Sequence, residues 1–254
     1  MSGAPTVISN RVGRVRVVFK YLYEAGYLDR PVRYGTEFAK PSVAVLGKHR
    51  ASKPKKLFTP EQVHLLLANA TPRMRGMIWL GLFAGFGNND CATVKVSHMC
   101  LETGWVTYSR PKTGLQRRAW LPPEAGEALR AVWPDSDHVF RTQRGNTWTT
   151  GNTANPISTE FPKLTKRVGV GQSFYALRHT IETIGGRPKD QVAVDFIMGH
   201  VSPGMSSVYR EEIEDDRLRA VGDVIYAWLG KPSASGCPLN TQASRTPNVS
   251  TPPS

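Results

Sequence analysis

The chain has little cysteine, no long apolar run and comparatively few acidic side chains, and each shortage argues against a class of protein. Its 254 residues include three cysteines, an odd and sparse set that argues against a disulfide framework and favours a reducing cytoplasm. No apolar run reaches the roughly 18 residues that a membrane-spanning helix needs. The N-terminus lacks the basic and apolar segments of a signal peptide. We therefore expect a cytoplasmic protein without a membrane partner.

The excess of positive charge is local. The whole chain has 33 Lys and Arg against 20 Asp and Glu, a formal charge of +13. Residues 1–56 hold twelve of the basic side chains and three of the acidic ones. A concentrated basic segment is typical of proteins that bind a polyanion, most often nucleic acid. The alternative is a solvated segment that aids solubility. No amphipathic helix rich in Trp, Phe or Leu accompanies the charge, so a membrane surface is less favoured.

Periodicity and composition divide the chain into three parts. A helix is predicted over 10–25, and a basic linker without a sustained period follows over 29–56, so that 1–56 holds a partial helical segment and a linker. Residues 57–230 are predicted to form one domain that is mainly α with a small antiparallel β-sheet, an α+β fold. Over 231–254, Pro, Ser and Thr dominate, which predicts a disordered tail.

The predicted domain consists of a series of helices and one hairpin. Thr59 and Gln62 form a capping box that starts its first helix. Residues 105–109 and 117–121 alternate apolar and polar side chains and flank a turn with Lys112 near its tip, which predicts a β-hairpin. Further helices are predicted over 74–83, 91–94, 122–132, 155–168, 173–185, 189–198, 204–212 and 214–229.

Several polar and reactive residues follow one another in a characteristic order. They are Lys112 in the hairpin, the helical stretch Tyr175-Ala-Leu-Arg178-His179-Thr, the pair Gly199-His200, and Tyr209 nine residues after the histidine. This order resembles the tyrosine recombinases, or phage-type integrases, whose pattern is an early arginine, a hairpin lysine, H-x-x-R, glycine–histidine and a nucleophilic tyrosine. The resemblance covers roughly 57–229. The helix at 10–25 resembles the last helix of the family's N-terminal core-binding domain, whose earlier helices are absent.

The resemblance implies site-specific DNA recombination or integration by strand cleavage and rejoining through a 3′-phosphotyrosyl intermediate. It implies Tyr209 as the nucleophile and Lys112 as the general acid for the departing 5′-oxygen. It further implies that Arg178 and His200 bind the phosphate. These residue types suit the chemistry, because a guanidinium pairs bidentately with phosphate oxygens and an ammonium group can donate a proton.

Two positions depart from the family's pattern. In the segment Gly85-Phe86-Gly87-Asn88-Asn89-Asp90, the family's acidic residue is present as the supporting residue Asp90, but Gly87 occupies the position of the first arginine. Losing one preorganised partner of the phosphate typically costs about 10² to 10³ in rate. Tyr175 replaces the first histidine of H-x-x-R, and its phenol can still hydrogen-bond a phosphate. We interpret His179 as support for helix packing and for the edge of the site.

A substitute for the missing arginine is expected nearby. The hairpin carries three candidates, and the helix before the Gly85–Asp90 turn carries two more: Arg110, Arg117, Arg118, Arg73 and Arg75. Arginine suits the role better than lysine because its planar fork meets two oxygens at once. We expect one of the five to approach Arg178, and Arg110 is favoured.

The resemblance also implies the partners. They are double-stranded DNA and further copies of the chain, as a homo-oligomer from dimer to tetramer on DNA. Because the phosphodiester energy is kept in the covalent intermediate, neither ATP nor a metal ion is implied. The N-terminal basic segment offers the candidate DNA-binding residues Arg11, Arg14, Arg16, Lys53, Lys55 and Lys56.

Alternatives stay open for the function and for the individual residues. A non-catalytic DNA-binding relative would keep the fold and Arg178 without turnover. A relaxing topoisomerase would use the same nucleophile without pairing two DNA sites. Taken singly, each residue also has a structural explanation, such as an ion-pair arginine or a buried tyrosine. Cys91, His98 and Cys100 are close in sequence but lack a fourth metal ligand with matching spacing.

Overall fold

A computed structural model describes residues 3–53, 57–110, 114–142, 145–148, 156–200 and 213–230. The chain divides after residue 55 into two compact units. Among the described residues, no helix is long and apolar enough to cross a membrane.

The first unit is built on two helices, α1 (Pro5–Glu24) and α2 (Val43–Ala51), which contact each other. The segment 29–56, predicted to be a basic linker without a sustained period, contains the short helix α2. Ser42 caps this helix by accepting a hydrogen bond from the Val45 amide. None of its residues is buried, so the helix has no apolar stripe, and hydrophobic periodicity gives no sign of it.

The second unit confirms the predicted fold class, mainly α with a small antiparallel sheet. Its elements in chain order are α3 (Pro60–Asn69), α4 (Pro72–Phe83), α5 (Asn88–Thr93), β1 (Met99–Cys100), β2 (Trp105–Ser109), β3 (Gln116–Trp120), α6 (Pro123–Arg130), α7 (Ile157–Arg167), α8 (Ala176–Gly185), α9 (Gln191–Met198) and α10 (Asp215–Leu229). The predicted helix at 204–212 lies outside the described residues.

The sheet consists of three antiparallel strands in the order β1-β2-β3. The register pairs Trp105 with Trp120 and Ser109 with Gln116. The predicted hairpin therefore forms, with its return strand starting one residue earlier than expected. The two-residue strand β1, which extends the sheet at its outer edge, was not predicted.

Helix α4 lies at the centre of the core. Nine of its twelve residues are buried, and the helix packs against α6 on one side and α8 on another. Its start follows from Thr71, whose hydroxyl accepts a hydrogen bond from the Met74 amide. The predicted capping box at the start of α3 is confirmed, since both reciprocal bonds between Thr59 and Gln62 are present. The close packing of α4 against α8 determines where the first residues of α8 lie.

Candidate active site

Arg178, in the first turn of α8, is the centre of the candidate site. Its side chain is 2% exposed. One terminal nitrogen donates to the Gly85 carbonyl, and the other donates to the Met198 carbonyl at 2.6 Å and lies 3.1 Å from His200 Nε2. The pKa of this guanidinium is lowered, mainly by burial and next by the positive charge of Arg110. The side chain therefore connects the turn after α4 to the end of α9.

Two glycines shape the backbone that Arg178 contacts. Gly85 follows α4 with φ +62°, and Gly199 ends α9 with φ +61° in the left-handed conformation. Both conformations are strained for residues with a side chain. Both sites are also crowded, because a Cβ would lie 2.6 Å from Met198 Sδ at Gly85 and 2.6 Å from Arg117 Cδ at Gly199. The motif Gly199-His200 thus places the histidine directly after a required glycine.

His200 is half-buried beside Arg178 and has a pKa below the usual histidine value. Burial is the larger cause, and the charge of Arg178 is the second. An arginine can act only as a donor, so Nε2 of His200 accepts the hydrogen bond from Arg178. The ring is then neutral with its proton on Nδ1, which lies 3.9 Å from Asp195 Oδ1.

Two of the five candidate arginines, both from the hairpin, lie at this site. Arg110 Nη1 donates to the Gly199 carbonyl at 3.4 Å, and the charge of Arg110 lowers the pKa of Arg178. Arg117, on β3, is 2% exposed. Its guanidinium carbon lies 4.8 Å from the ring centroid of Phe86 and 5.1 Å from that of Tyr108.

The remaining three candidates lie elsewhere. Arg118 is paired with Asp215 at 2.7 Å, and Arg75 donates to the carbonyls of Leu67 and Ala70. Arg73 lines a different cavity.

Gly87, which the resemblance aligns with the family's first arginine, lies in a small, open position at the start of α5. Gly87 has φ −93°, and a Cβ there would meet Asp90 Oδ2 at 3.7 Å as its nearest neighbour. Asp90 Oδ2 accepts a hydrogen bond from the Gly87 amide at 2.9 Å and lies 3.4 Å from Arg117 Nη2. Asp90, in α5, therefore supports the turn and contacts Arg117 on β3.

A cavity of about 480 Å³ adjoins this position. Its lining includes Gly87, Asp90, Arg110 and Tyr175. Tyr175 is 51% exposed, and its ring meets that of His179 edge-to-face at 5.3 Å. The two residues at the edge of the predicted motif thus contact each other beside the cavity.

The structure describes only some of the residues that the sequence singled out. Lys112, Tyr209, Lys55 and Lys56 lie outside the described residues. Arg11, Arg14 and Lys53 are exposed in the first unit. Arg16, in the same helix as Arg11, donates to the Phe38 carbonyl at 2.9 Å and lies over the Tyr34 ring.

The possible metal cluster has other contacts. Cys91 is buried and Cys100 is exposed, and burial raises the pKa of the Cys91 thiol. His98 Nδ1 accepts a hydrogen bond from the Lys95 amide at 3.0 Å. Within the described ranges, no group of three or more His, Cys, Asp or Glu side chains is arranged to hold a metal ion.

Sequence reasoning missed the two rings that contact Arg117. Phe86 follows Gly85 in the turn after α4, and Tyr108 lies opposite Arg117 in the hairpin register. The signal was available for Tyr108, because it shares the buried face of β2 with Val106. Cross-strand partners face the same side of a sheet, so this register places Arg117 on the same face as Tyr108.

The fold is that of known recombinases and integrases. The integrase of transposon Tn1549, in a structure with transposon right end DNA, is 18% identical with a TM-score of 0.58 over 85% of this chain and 78% of that one. The integrase of mycobacterium phage Brujita is 20% identical with a TM-score of 0.54 over 91% and 79%. XerA recombinase is 18% identical with a TM-score of 0.51 over 86% and 82%. No protein-family model and no curated protein matches the chain. The described domain therefore has the tyrosine-recombinase catalytic fold.

Proposed function

We propose that the protein binds duplex DNA and cuts and rejoins its strands as a tyrosine-type site-specific recombinase or integrase. The observation that carries this proposal is the meeting of Arg178 and His200 at 3.1 Å. The sequence motif assigns these two residues to one phosphate, and the fold brings them together from α8 and from the residue just after the glycine that ends α9. Residues 57–230 would form the catalytic domain and 1–56 a DNA-binding segment and linker, while the predicted tail at 231–254 lies outside the described residues.

The charges around Arg178 support an anionic ligand. Burial is the main cause of the lowered pKa values of Arg117 and Arg178, and the neighbouring arginine charges lower them further: Arg178 and Arg110 for Arg117, and Arg110 for Arg178. In the described part of the chain, no carboxylate forms a hydrogen bond with any of the three. Apart from the 3.4 Å contact between Asp90 and Arg117, these guanidinium groups have no carboxylate partner among the described residues, which favours a phosphate, whose oxygens accept charge-assisted hydrogen bonds.

The proposed reaction is a transesterification at phosphorus. The Tyr209 hydroxyl would give its proton to water, and its oxygen would form a bond to phosphorus while the bond from phosphorus to the 5′-oxygen breaks. Lys112 would give its proton to the departing 5′-oxygen. Arg178 would stabilise the charge on the non-bridging oxygens in the pentavalent transition state. The reverse attack by a 5′-hydroxyl would rejoin the strand, so the step requires no added energy source.

His200 would complete the phosphate site through a ring N–H. Its lowered pKa keeps the imidazole neutral near pH 7, so it contributes a hydrogen bond and no charge. Tyr175, beside the cavity, would hydrogen-bond the phosphate in place of a histidine. Asp90 would support the turn that carries Gly85, and His179 would support the edge of the site through its contact with Tyr175.

Binding would extend beyond the catalytic residues. The exposed Arg11, Arg14 and Lys53 of the first unit offer contacts to the DNA backbone. Lys55 and Lys56 belong to the same basic segment, and so does Arg16. The solved structures of the Tn1549 and lambda integrases contain DNA, the lambda integrase as a dimer. We propose that this chain likewise assembles on DNA, as a dimer or a tetramer.

A DNA-binding relative without turnover is the second candidate. Gly87 favours it, because the phosphate would lack the side chain that the family's pattern places there. Both candidates predict DNA binding, and a covalent protein–DNA complex distinguishes them.

Covalent capture tests the proposal without knowledge of the target site. The protein is incubated with a pool of nicked duplexes whose central segment is random, and complexes that survive SDS are sequenced. The native protein is expected to capture a defined subset of the pool. Tyr209→Phe should abolish capture and leave DNA binding intact. Tyr226→Phe is the matched control, because Tyr226 is an exposed tyrosine outside the motif whose hydroxyl donates to Glu124 at 2.7 Å.

The remaining outcomes are also decisive. DNA binding without any capture by the native protein would contradict the enzyme and favour the non-catalytic relative. Capture together with relaxation of supercoiled plasmid, but without recombinant product, would favour a topoisomerase.

A further inference from the structure

We propose that Arg117 is the second phosphate-binding guanidinium of this site, and that it supplies from β3 the group that Gly87 does not provide. This inference rests on the proposed function and adds one residue to its phosphate site. Three observations carry it: the lack of hydrogen-bond partners on Arg117, the way its side chain is held, and the open position at Gly87.

Arg117 lacks acceptors for its N–H groups. Its Nε, Nη1 and Nη2 atoms are all buried, and none has a hydrogen-bond partner among the described residues. Asp90 Oδ2 is 3.4 Å from Nη2, longer than the roughly 2.7–2.9 Å of a charge-assisted hydrogen bond. A buried guanidinium without acceptors is costly. Its five N–H donors therefore lack hydrogen-bond acceptors, and an anion would reach them by replacing the loose contact to Asp90, which lines the adjoining cavity.

The side chain is held in place before any ligand binds. Its guanidinium lies against the rings of Phe86 and Tyr108, at 4.8 Å and 5.1 Å from their centroids. Its stem passes Gly199, where a Cβ would lie 2.6 Å from Arg117 Cδ. A side chain held by packing on both sides loses little freedom when it binds a ligand, which favours a binding role.

Gly87 and Arg117 are related through Asp90. The Asp90 carboxylate accepts from the Gly87 amide and contacts the Arg117 guanidinium through the same oxygen, Oδ2. Asp90 also lines the cavity beside Gly87. The guanidinium of Arg117 on β3 therefore contacts Asp90, which also binds the amide of Gly87, the residue at the position of the family's first arginine.

The other hairpin arginines have partners. Arg110 donates to the Gly199 carbonyl, and Arg118 is held by Asp215 through two hydrogen bonds of 2.7 Å and 2.8 Å. Arg118 lies next to Arg117 on β3, and neighbouring strand residues point to opposite faces. It is therefore the matched control for a substitution at Arg117.

Inorganic phosphate is the first probe, because its binding does not depend on cleavage. The melting temperature of the full-length protein is measured with increasing phosphate, and chloride is used to match ionic strength. The native protein and Arg118→Gln should be stabilised by phosphate, and Arg117→Gln should need at least tenfold more phosphate for the same shift. Equal stabilisation of Arg117→Gln and the native protein would overturn the inference. Loss of stabilisation in Arg110→Gln but not in Arg117→Gln would also overturn it.

A rescue separates a role in binding from a role in folding. Gly87→Arg, combined with Arg117→Gln, returns a guanidinium to the open position, where φ and space both permit a side chain. The double variant should recover phosphate stabilisation. If Arg117→Gln does not fold, Arg117→Lys keeps the charge without the fork, and it should fold but bind phosphate more weakly. Full phosphate binding by Arg117→Lys and failure of the rescue together would overturn the inference.

Covalent capture then distinguishes this inference from the proposed function. On a duplex captured by the native protein, Arg117→Gln should lower the yield by about 10² to 10³, the usual cost of one lost oxyanion partner. Capture by Arg117→Gln at the native level would overturn the role of Arg117 and leave the recombinase proposal standing. Phosphate binding that depends on Arg117, with no capture by the native protein, would support the inference and contradict the enzyme.

Discussion

Arg178 Nη2 lies 3.1 Å from His200 Nε2, although the two residues are 22 positions apart, one within α8 and the other just after the glycine that ends α9. The contact requires an unprotonated Nε2, because both partners would otherwise be donors. Protonation of His200 would break the bond and place a second positive charge beside a buried guanidinium. The charge state of His200 and the geometry of Arg178 are therefore coupled.

The first prediction concerns the protonation of His200. In the folded protein the pKa of His200 lies below the usual 6.5, mainly because the ring is buried and next because of the charge of Arg178. Near pH 6.5 the unfolded chain then binds more protons than the folded protein does. The free energy of unfolding therefore increases as the pH is raised through about 6.5 and decreases as the pH is lowered. An NMR titration of the His200 ring should show the lowered pKa directly.

A variant isolates this contribution. His200→Gln should reduce the difference between the urea unfolding free energies at pH 5.5 and pH 7.5. Part of the difference should remain, because burial also lowers the pKa of His98. A normal His200 pKa in the titration would contradict the hydrogen bond from Arg178.

The second prediction concerns the start of α9, the helix that leads to Gly199 and His200. Asp190 caps it by accepting a hydrogen bond from the Ala193 amide at 3.1 Å. It also forms two hydrogen bonds with Arg217, at 2.8 Å and 2.9 Å. Asp190→Ala should lower the free energy of unfolding by about 1–2 kcal/mol, mainly through loss of the cap.

The control for Asp190 is an acid in an exposed pair. Asp223 pairs with Arg219 one turn away on α10, and Asp223→Ala should cost no more than about 0.5 kcal/mol. Urea unfolding measures both variants, and equal losses of unfolding free energy would show that the Asp190 cap stabilises α9 no more than an exposed ion pair does.

The third prediction concerns the packing that positions Arg178. Gly81 of α4 faces Leu177, and a Cβ there would lie 2.7 Å from Leu177 Cδ1 and 3.3 Å from Phe174 Cζ. Gly81→Ala therefore forces α4 and α8 apart, at a cost of about 1–3 kcal/mol. Because Leu177 precedes Arg178, phosphate binding should weaken as well.

Gly47 provides the opposite case on α2. A Cβ there meets nothing within 4 Å, so Gly47→Ala should leave stability unchanged or raise it by up to about 1 kcal/mol. Thermal unfolding compares the two variants. A Gly81→Ala variant as stable as the native protein would contradict the tight contact between α4 and α8.

Local signals in the sequence predicted much of the fold. The capping residues Thr59 and Gln62 mark α3 because their bonds are made within four residues. The hairpin is similarly evident from alternation along each strand. Helix α2 could not be predicted from periodicity, since it buries no side chain. Helix α2 contacts α1, and a contact of this kind leaves no periodic signal in the sequence.

The site was harder to predict than the elements. The contact between Arg178 and His200 depends on how α8 and α9 pack, and only resemblance to a family suggested it. The position of Arg117 had a local signal, because it alternates with Ala119 on the buried face of β3. Charge argued against burying it, and the rings of Phe86 and Tyr108 that accommodate it come from other elements. Its lack of acceptors is visible only in three dimensions.

The last prediction concerns the basic first unit. Arg11 and Arg14 are exposed on α1, whereas Arg16 is engaged with the Phe38 carbonyl. If each of the first two contacts one DNA phosphate, the double variant Arg11→Gln with Arg14→Gln should reduce the log–log salt slope of DNA binding by about 1.8. Affinity should fall for all sequences alike, because phosphate contacts carry no sequence information. Fluorescence anisotropy on one captured duplex and one unrelated duplex, at several salt concentrations, measures both quantities. Arg130→Gln is the control, since Arg130 is exposed in the second unit and donates to the Leu101 carbonyl. An unchanged slope in the double variant would show that α1 does not touch the DNA backbone, and the excess charge of the first unit would then need another explanation.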